Sequence, residues 1–304
     1  MPSDALVYPP APNRCVTNTA LVFEGGGMRN SYTSGVVNTL IEQGIVFPFV
    51  GGVSAGSSCT VNYLLGDTWR TRVSFVDLVH QPQFGSWLTF LQGKGRFNAH
   101  WIYREACLPH EAIPYDFARY LAHPAAVAIP GFDRDSGETV VWTREDAPTL
   151  DDLMVRVQAS STLPMAMPAV HIGDRVFYDG GLGVGGGIPL HLATSAGYDR
   201  VFAVLTRPKG YRKKPPSRGA RALAALYARY PKVQEALLTR HERYNAALDQ
   251  LEQMAAEGRA YIFYATKMAV ENSTTNYEAL VRSYNDGYAQ AQAELPQWRE
   301  WLGV

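Results

Sequence analysis

Cysteine is scarce in this sequence of 304 residues, which contains only Cys15, Cys59 and Cys107. Three widely spaced cysteines provide neither a disulfide framework nor the closely spaced ligands of a zinc site. We therefore expect free thiols and a reducing, cytoplasmic environment.

A charge excess is also missing, because 28 Lys and Arg residues balance 28 Asp and Glu residues. Nucleic-acid-binding proteins usually carry a basic excess, so this balance argues against a nucleic-acid partner. The N-terminus lacks the basic start and apolar stretch of a signal peptide. No segment has the roughly 18 uninterrupted apolar residues of a membrane span. We expect a cytoplasmic protein whose membrane contact, if there is any, is peripheral; the sequence leaves the oligomeric state open.

Apolar runs alternate with helical periodicity along most of the chain. The pattern predicts a strand at 19–23, a helix at 31–43, a second strand at 47–53 and a second helix at 55–65. Such a unit implies two parallel strands joined by a helical crossover. Later strands are predicted at 126–129, 139–143, 175–178, 200–205 and 260–264, and later helices at 150–161, 189–196 and 277–295.

This alternation predicts an α/β fold with a mainly parallel central sheet flanked by helices. We expect a Pro-rich tail over residues 1–18 and a single domain over 19–304. Its core would cover about 19–206, and a helical extension that carries one strand would cover about 219–304. Residues 66–125 are rich in aromatics and are predicted to form short helices, either as ordinary core or as the apolar rim of a substrate mouth.

The motif Gly52-Val53-Ser54-Ala55-Gly56 lies where a predicted strand passes into a helix. A serine on such a tight turn projects its hydroxyl from the carboxyl end of the strand, as a nucleophile requires. Gly52 and Gly56 leave room for the turn and for substrate. A plain glycine turn is the alternative, since this short motif is common by chance.

Glu24-Gly25-Gly26-Gly27-Met28-Arg29-Asn30 follows the preceding strand. Consecutive glycines can turn their N–H groups towards one point, where they would stabilise the oxyanion of an acyl-transfer reaction. Two alternatives remain. The loop resembles a dinucleotide fingerprint, although Asn30 stands where the last glycine belongs, and it could be a turn without a ligand.

A nucleophilic serine needs a base, and none of the seven histidines lies in a recognisable catalytic motif. Asp179 is the better candidate because it follows a predicted strand and should reach the same sheet edge as Ser54. Gly180 and Gly181 leave its carboxylate accessible. Partial burial would raise its pKa from about 4 and make it a usable base.

Taken together, these three motifs resemble the patatin-like phospholipase family, in particular its bacterial members. The opening strand and loop are similar over 20–29, the serine turn over 51–57, and the segment before the aspartate over 159–164 and 178–181. The resemblance implies a three-layer α/β fold and a Ser–Asp dyad, with Ser54 as nucleophile and Asp179 as base. It implies neither a metal nor an organic cofactor.

The resemblance also assigns the oxyanion hole to the backbone N–H groups of Gly25, Gly26, Gly27 and Met28. Arg29 matches the family's basic residue and is expected to support the loop. Asn30 departs from the usual glycine, but asparagine tolerates a left-handed backbone better than most residues. The implied reaction is hydrolysis of a lipid or another fatty-acyl ester through an acyl-serine intermediate.

Two other functions stay open at this stage. The chain could be an α/β-hydrolase-type esterase with a Ser-Asp-His triad in which His191 or His241 is the base. It could also be a non-catalytic protein that binds a lipid or a nucleotide. The basic loop 207–221 is either a solvated loop or a contact for phosphate headgroups near the mouth of the site.

Overall fold

A computed structural model describes residues 14–304, without the side chains of Arg14, Trp87 and Leu88. Residues 1–13 of the predicted tail lie outside the described residues. The strands are β1 Arg14–Cys15, β2 Thr19–Phe23, β3 Ile45–Val46, β4 Phe49–Gly52, β5 Ala126–Asp133, β6 Thr139–Trp142, β7 Val170–Ile172, β8 Arg175–Asp179, β9 Arg200–Val204 and β10 Ala260–Phe263. The α-helices are α1 Asn30–Glu42, α2 Ala55–Leu65, α3 Thr68–Phe75, α4 Trp87–Leu91, α5 Phe117–Ala122, α6 Leu150–Ser161, α7 Leu190–Ser195, α8 Arg218–Ala225, α9 Pro231–Ala256 and α10 Tyr277–Leu302.

The main sheet has eight strands in the order β10-β9-β2-β4-β5-β8-β7, and β6 pairs with β5 as well. All pairings from β10 to β5 are parallel. The pairings of β5 with β6 and β8, and of β7 with β8, are antiparallel. The predicted parallel pair β2 and β4 is confirmed, with Phe23 opposite Gly52 at its end. A separate pair is formed by β1 and β3.

Helices cover both faces of this sheet, which gives three layers. Along β2 the side chains alternate between the faces, as the pleat of a strand requires. Leu21 and Phe23 pack in one core cluster with residues of α1, α2, α6 and α10. Ala20 and Val22 pack in another with residues of α7 and α9. Since both faces of β2 are buried, its sequence is a continuous apolar run.

The last helix extends further than its sequence predicts. The sequence predicts an end at Leu295, just before Pro296, and proline lacks an N–H and usually ends a helix. Instead, α10 continues through Pro296 to Leu302. Leu295 and Trp298 both belong to the larger core cluster, so burial holds the helix together across the proline.

Close backbone contact joins α10 to α1. A Cβ on Gly35 of α1 would overlap the backbone at Tyr288, and one on Gly287 of α10 would overlap the backbone at Tyr32. At the same crossing, Ser31 Oγ donates a 2.8 Å hydrogen bond to Ser283 Oγ. The C-terminal helix is therefore built against the helix that follows the glycine-rich loop.

Candidate active site

Ser54 stands in the turn between β4 and α2, with φ 56° and ψ −133°. A left-handed φ is strained for a residue with a side chain. The flanking glycines permit it, because a Cβ on Gly52 would overlap Gly56 and a Cβ on Gly56 would overlap Phe23. Ser160 Oγ accepts a 3.1 Å hydrogen bond from the Ser54 N–H and so fixes the turn from α6.

The Ser54 hydroxyl donates a 2.6 Å hydrogen bond to Asp179 Oδ2. The other carboxylate oxygen, Oδ1, accepts a 2.7 Å bond from the Gly181 N–H. Both oxygens of Asp179 are thus acceptors, and the side chain is held in one orientation. Only 1% of Asp179 and 8% of Ser54 is exposed. This is the contact that proton transfer from serine to carboxylate requires.

The topology that brings these residues together differs from the one the sequence suggested. We expected Asp179 to reach the sheet edge of Ser54 from the end of a strand in a mainly parallel sheet, but β8 runs antiparallel to its neighbour β5. The explanation is the length of β5. Ala128 is opposite Gly51, and β5 then continues past the end of β4 to Gly131, which is opposite Asp179. The end of β8 therefore meets the carboxyl end of β4 from the opposite direction.

Burial raises the pKa of the Asp179 carboxyl above its usual value. The positive charge of Arg240, the hydrogen bond from Ser54 and the Gly181 N–H act in the opposite direction. Because burial dominates, the carboxylate is more basic than an exposed one.

The glycine-rich loop lies against the serine turn, since a Cβ on Gly25 would come within 2.8 Å of Ser54 Cβ. Two of its four predicted oxyanion donors are already in use. The Gly25 N–H donates to Gly187 O at 3.1 Å, and the Met28 N–H donates to Asn272 O at 3.0 Å. Within residues 14–304, the N–H groups of Gly26 and Gly27 have no such partner.

Asn30 replaces the family's usual glycine, and we expected it to tolerate a left-handed backbone there. Asn30 has a right-handed backbone with φ −70°, and the left-handed residue of the loop is Gly27 with φ +55°. Asn30 Nδ2 donates a 3.1 Å hydrogen bond to Glu24 O and ties the loop to α1. Arg29 is buried, and its Nε donates to Thr206 Oγ1 at 3.3 Å.

Two histidines were candidate bases in the triad alternative, and neither lines a pocket beside Ser54. Burial lowers the pKa of His191 to about 4. His241 Nε2 lies 3.8 Å from the carboxylate of Glu242, on the same helix.

Ser54 separates two pockets of opposite character. The apolar pocket contains Met28, Val61, Phe75, Leu78, Phe84, Phe97, Ile102, Ile113, Met154, Val157, Leu163 and Met167. The polar pocket contains Glu24, Arg29, Arg207, Lys213, Arg240 and Tyr244, together with Asp179 and the glycines 25–27. Phe75, Phe84 and Phe97 of the aromatic region 66–125 line the apolar pocket, and Phe75 and Phe84 are also buried in core clusters, so both interpretations of this region apply.

Residues of α9 complete the polar pocket, and sequence reasoning missed them. Arg240 Nε donates to Gly186 O at 2.9 Å, in the loop that follows Asp179. Tyr244 Oη donates to Glu24 Oε1 at 2.8 Å, while Glu24 Oε2 accepts from the Thr206 N–H at 2.5 Å. Arg240 and Tyr244 lie far from the other site residues in sequence and belong to no motif. The signal that could have indicated them is their i, i+4 spacing, which places both on one face of α9.

Two family models match the chain. The model described as patatin-like phospholipase matches residues 21–194, and one described as a domain of unknown function (DUF6363) matches residues 230–303. Among solved structures, the crystal structure of VipD from Legionella pneumophila matches 92% of this chain and 67% of that chain. The TM-score is 0.47 and the sequence identity is 11%. No curated protein matches the chain. Across residues 14–304, every helix is too short or too polar to cross a membrane.

Proposed function

We propose, because the chain belongs to the patatin-like phospholipase family, that it is a serine lipid acyl hydrolase acting through a Ser54–Asp179 dyad. The observation that carries this proposal is the 2.6 Å hydrogen bond from Ser54 Oγ to Asp179 Oδ2. It joins a nucleophile on a strained turn to a buried carboxylate whose pKa burial raises.

In the first half-reaction, Ser54 Oγ attacks the acyl carbonyl carbon while its proton passes to Asp179 Oδ2. The bond between the carbonyl carbon and the alcohol oxygen then breaks, and the leaving alcohol takes the proton from Asp179. Water attacks the acyl-serine in the second half-reaction, again with Asp179 as proton acceptor. Collapse of that intermediate releases the fatty acid and restores the Ser54 hydroxyl.

The carbonyl oxygen becomes negatively charged in both half-reactions. We propose the N–H groups of Gly26 and Gly27 as the main oxyanion donors, because those of Gly25 and Met28 are bonded to Gly187 and Asn272. Each such donor is worth about 3 kcal/mol of transition-state stabilisation. The N-terminus of α2 lies beside Ser54 and favours the same charge.

The apolar pocket is the proposed site of the acyl chain. It opens beside Ser54 and is lined mainly by aliphatic and aromatic side chains. Burial of a methylene group stabilises binding by about 0.8 kcal/mol. Turnover of p-nitrophenyl esters should therefore rise with chain length until the pocket is filled.

The proposal is tested with a fluorophosphonate probe and with p-nitrophenyl esters of graded chain length, alongside phospholipids and lysophospholipids. We expect the probe to label Ser54 in the wild type, and expect Ser54→Ala to lose both labelling and turnover. His191→Ala and His241→Ala should retain turnover if folded. Loss of turnover in either folded histidine variant would support the triad, and a wild type that is neither labelled nor active would support a binding protein.

A further inference from the structure

The polar pocket beside Ser54 is rich in positive charge. Four cationic side chains line it: Arg29, Arg207, Lys213 and Arg240. Across residues 14–304, none of them forms an ion pair with a carboxylate. We call this region the cationic pocket.

The two carboxylates that line the cationic pocket accept hydrogen bonds from groups other than the four cations. Glu24 accepts hydrogen bonds from Tyr244 Oη and from the N–H and hydroxyl of Thr206. Asp179 accepts from Ser54 and Gly181. Two buried carboxylates face three arginines and Lys213, so the pocket keeps an excess of positive charge that a bound anion would balance.

The basic segment 207–221, whose last four residues begin α8, contributes to this excess selectively. Arg212 is neutralised, because its Nη2 lies 3.0 Å from Asp249 and 2.6 Å from Glu252. Its neighbour Lys213 points instead into the cationic pocket, with Nζ 4.5 Å from the centre of the Tyr244 ring.

Lys213 is also fixed in place through its backbone. Its N–H donates to Asn245 Oδ1 at 2.9 Å, and Asn245 Nδ2 donates to its carbonyl oxygen at 3.0 Å. A mobile surface lysine has no such two-point attachment. Together with the contact of Nζ with the Tyr244 ring, this attachment positions the ammonium group before any ligand arrives, which lowers the entropy that binding would lose.

Arg240 approaches the reacting groups more closely. A Cβ on Gly181 would lie 2.9 Å from Arg240 Nη2 and 2.9 Å from Asp179 Oδ1. The guanidinium and the proposed base therefore flank the same glycine. An anion that contacts Arg240 would lie near the position where the leaving alcohol takes its proton.

We infer that the cationic pocket binds an anionic group, phosphate or carboxylate, carried by the alcohol portion of the ester, with Lys213 and Arg240 as its recognition residues. The inference rests on the proposed function. Asp179 lines the cationic pocket and not the apolar one, so the alcohol it protonates belongs on this side of Ser54. A zwitterionic headgroup would bring its own cation towards this excess of positive charge, and is therefore disfavoured.

Ligand binding to a variant that lacks the proposed nucleophile tests the cationic pocket directly. Calorimetric titration of Ser54→Ala protein compares dodecyl phosphate, monolauroyl glycerol and inorganic phosphate. We expect dodecyl phosphate to bind most tightly. Adding Lys213→Met should weaken it about tenfold to a hundredfold, the usual effect of losing one charge-assisted hydrogen bond. Lys213→Arg should restore most of the affinity.

Lys214→Met is the matched control, because Lys214 is the exposed neighbour in the same loop and does not line the pocket. It should leave dodecyl phosphate affinity unchanged. Equal weakening by Lys213→Met and Lys214→Met would overturn the inference, since the effect would then be general loop charge. Inorganic phosphate that binds as tightly as dodecyl phosphate would overturn it too, because the anion site would be independent of the acyl pocket.

Turnover provides a second test. It is expressed as the ratio of kcat/KM for two esters, so that a general change in activity cancels. We expect kcat/KM for lauroyl glycerol phosphate to exceed that for monolauroyl glycerol, and Lys213→Met to lower the ratio about tenfold or more. An unchanged ratio would overturn the inference. If neither ester is cleaved, the proposed function fails, while the titration still decides whether the pocket binds anions.

Discussion

Asp179→Asn should remove activity without removing the fold, because of how the two carboxylate oxygens are used. Oδ1 accepts from the Gly181 N–H at 2.7 Å and Oδ2 accepts from the Ser54 hydroxyl at 2.6 Å. Asparagine has one acceptor and one donor. With its oxygen on Gly181, its Nδ2 would donate to Ser54 Oγ, and the serine proton would have no base to receive it.

The expected loss follows from the size of general-base catalysis. A positioned base contributes about 10²- to 10⁴-fold to the rate, which corresponds to roughly 3–5 kcal/mol of barrier. The assay is kcat/KM for a p-nitrophenyl ester, with circular dichroism as the control for folding. A folded Asp179→Asn protein that loses less than about tenfold would refute Asp179 as the base.

The same variant should also gain stability at neutral pH. Burial raises the folded-state pKa of Asp179, so the folded protein holds this proton to higher pH than the unfolded chain. The free energy of unfolding of the wild type therefore falls as the pH rises above about 4, the pKa in the unfolded chain, and it becomes constant above the folded-state pKa. Denaturant unfolding should show Asp179→Asn equal to the wild type near pH 3 and more stable near pH 7. A gap that does not depend on pH would contradict this account.

Three further predictions concern the turn and the pocket. Gly52→Ala should lower the free energy of unfolding by about 1–3 kcal/mol, because its Cβ would overlap backbone, whereas Gly219→Ala in exposed α8 should raise it by about 0.5–1 kcal/mol; denaturant titration distinguishes the two. Ser160→Ala leaves the buried Ser54 N–H without its acceptor and should cost about 1–3 kcal/mol of stability, with a lower kcat; an unaltered kcat would remove Ser160 from the support of the turn. Burial lowers the pKa of Lys213 to about 7, so Lys213→Met should be more stable than the wild type below pH 7, with a gap that closes towards pH 10.4; a constant gap in pH-dependent unfolding would exclude this explanation.

Local patterns singled out Ser54 and Asp179 because each residue belongs to a motif with a conformational requirement. Ser54 needs two glycines around a strained turn, and Asp179 ends a short apolar strand. Neither motif predicts that the two side chains are in direct contact, however. It depends on the overlap of β5 beyond β4 and on the antiparallel direction of β8, which are long-range properties of the sheet. The sequence therefore indicated that Asp179 and Ser54 reach the same sheet edge, but not the strand directions that bring them into contact.

Polar residues contributed by α9 could not be predicted in the same way. Arg240 and Tyr244 have no neighbouring motif and follow the basic loop by many residues. Their inward direction depends on how α9 packs across the sheet, with Leu248 and Leu251 in the core cluster below β2. The sequence predicted the charges of the loop but not that Arg212 is neutralised while Lys213 faces the site.

Hydrogen bonds across the candidate site give a physical reason to treat the two matched regions as one structural unit. The patatin-like match ends at residue 194, but Glu24 in the first region is a buried carboxylate whose hydrogen bonds come from Thr206 and Tyr244. Without those donors, a buried polar side chain beside the glycine-rich loop would lose its hydrogen-bond partners, which is unfavourable. Strand β10 also pairs with β9 as the outermost parallel strand. Residues 206–304 therefore stabilise the loop that holds the proposed oxyanion donors, in addition to lining the cationic pocket.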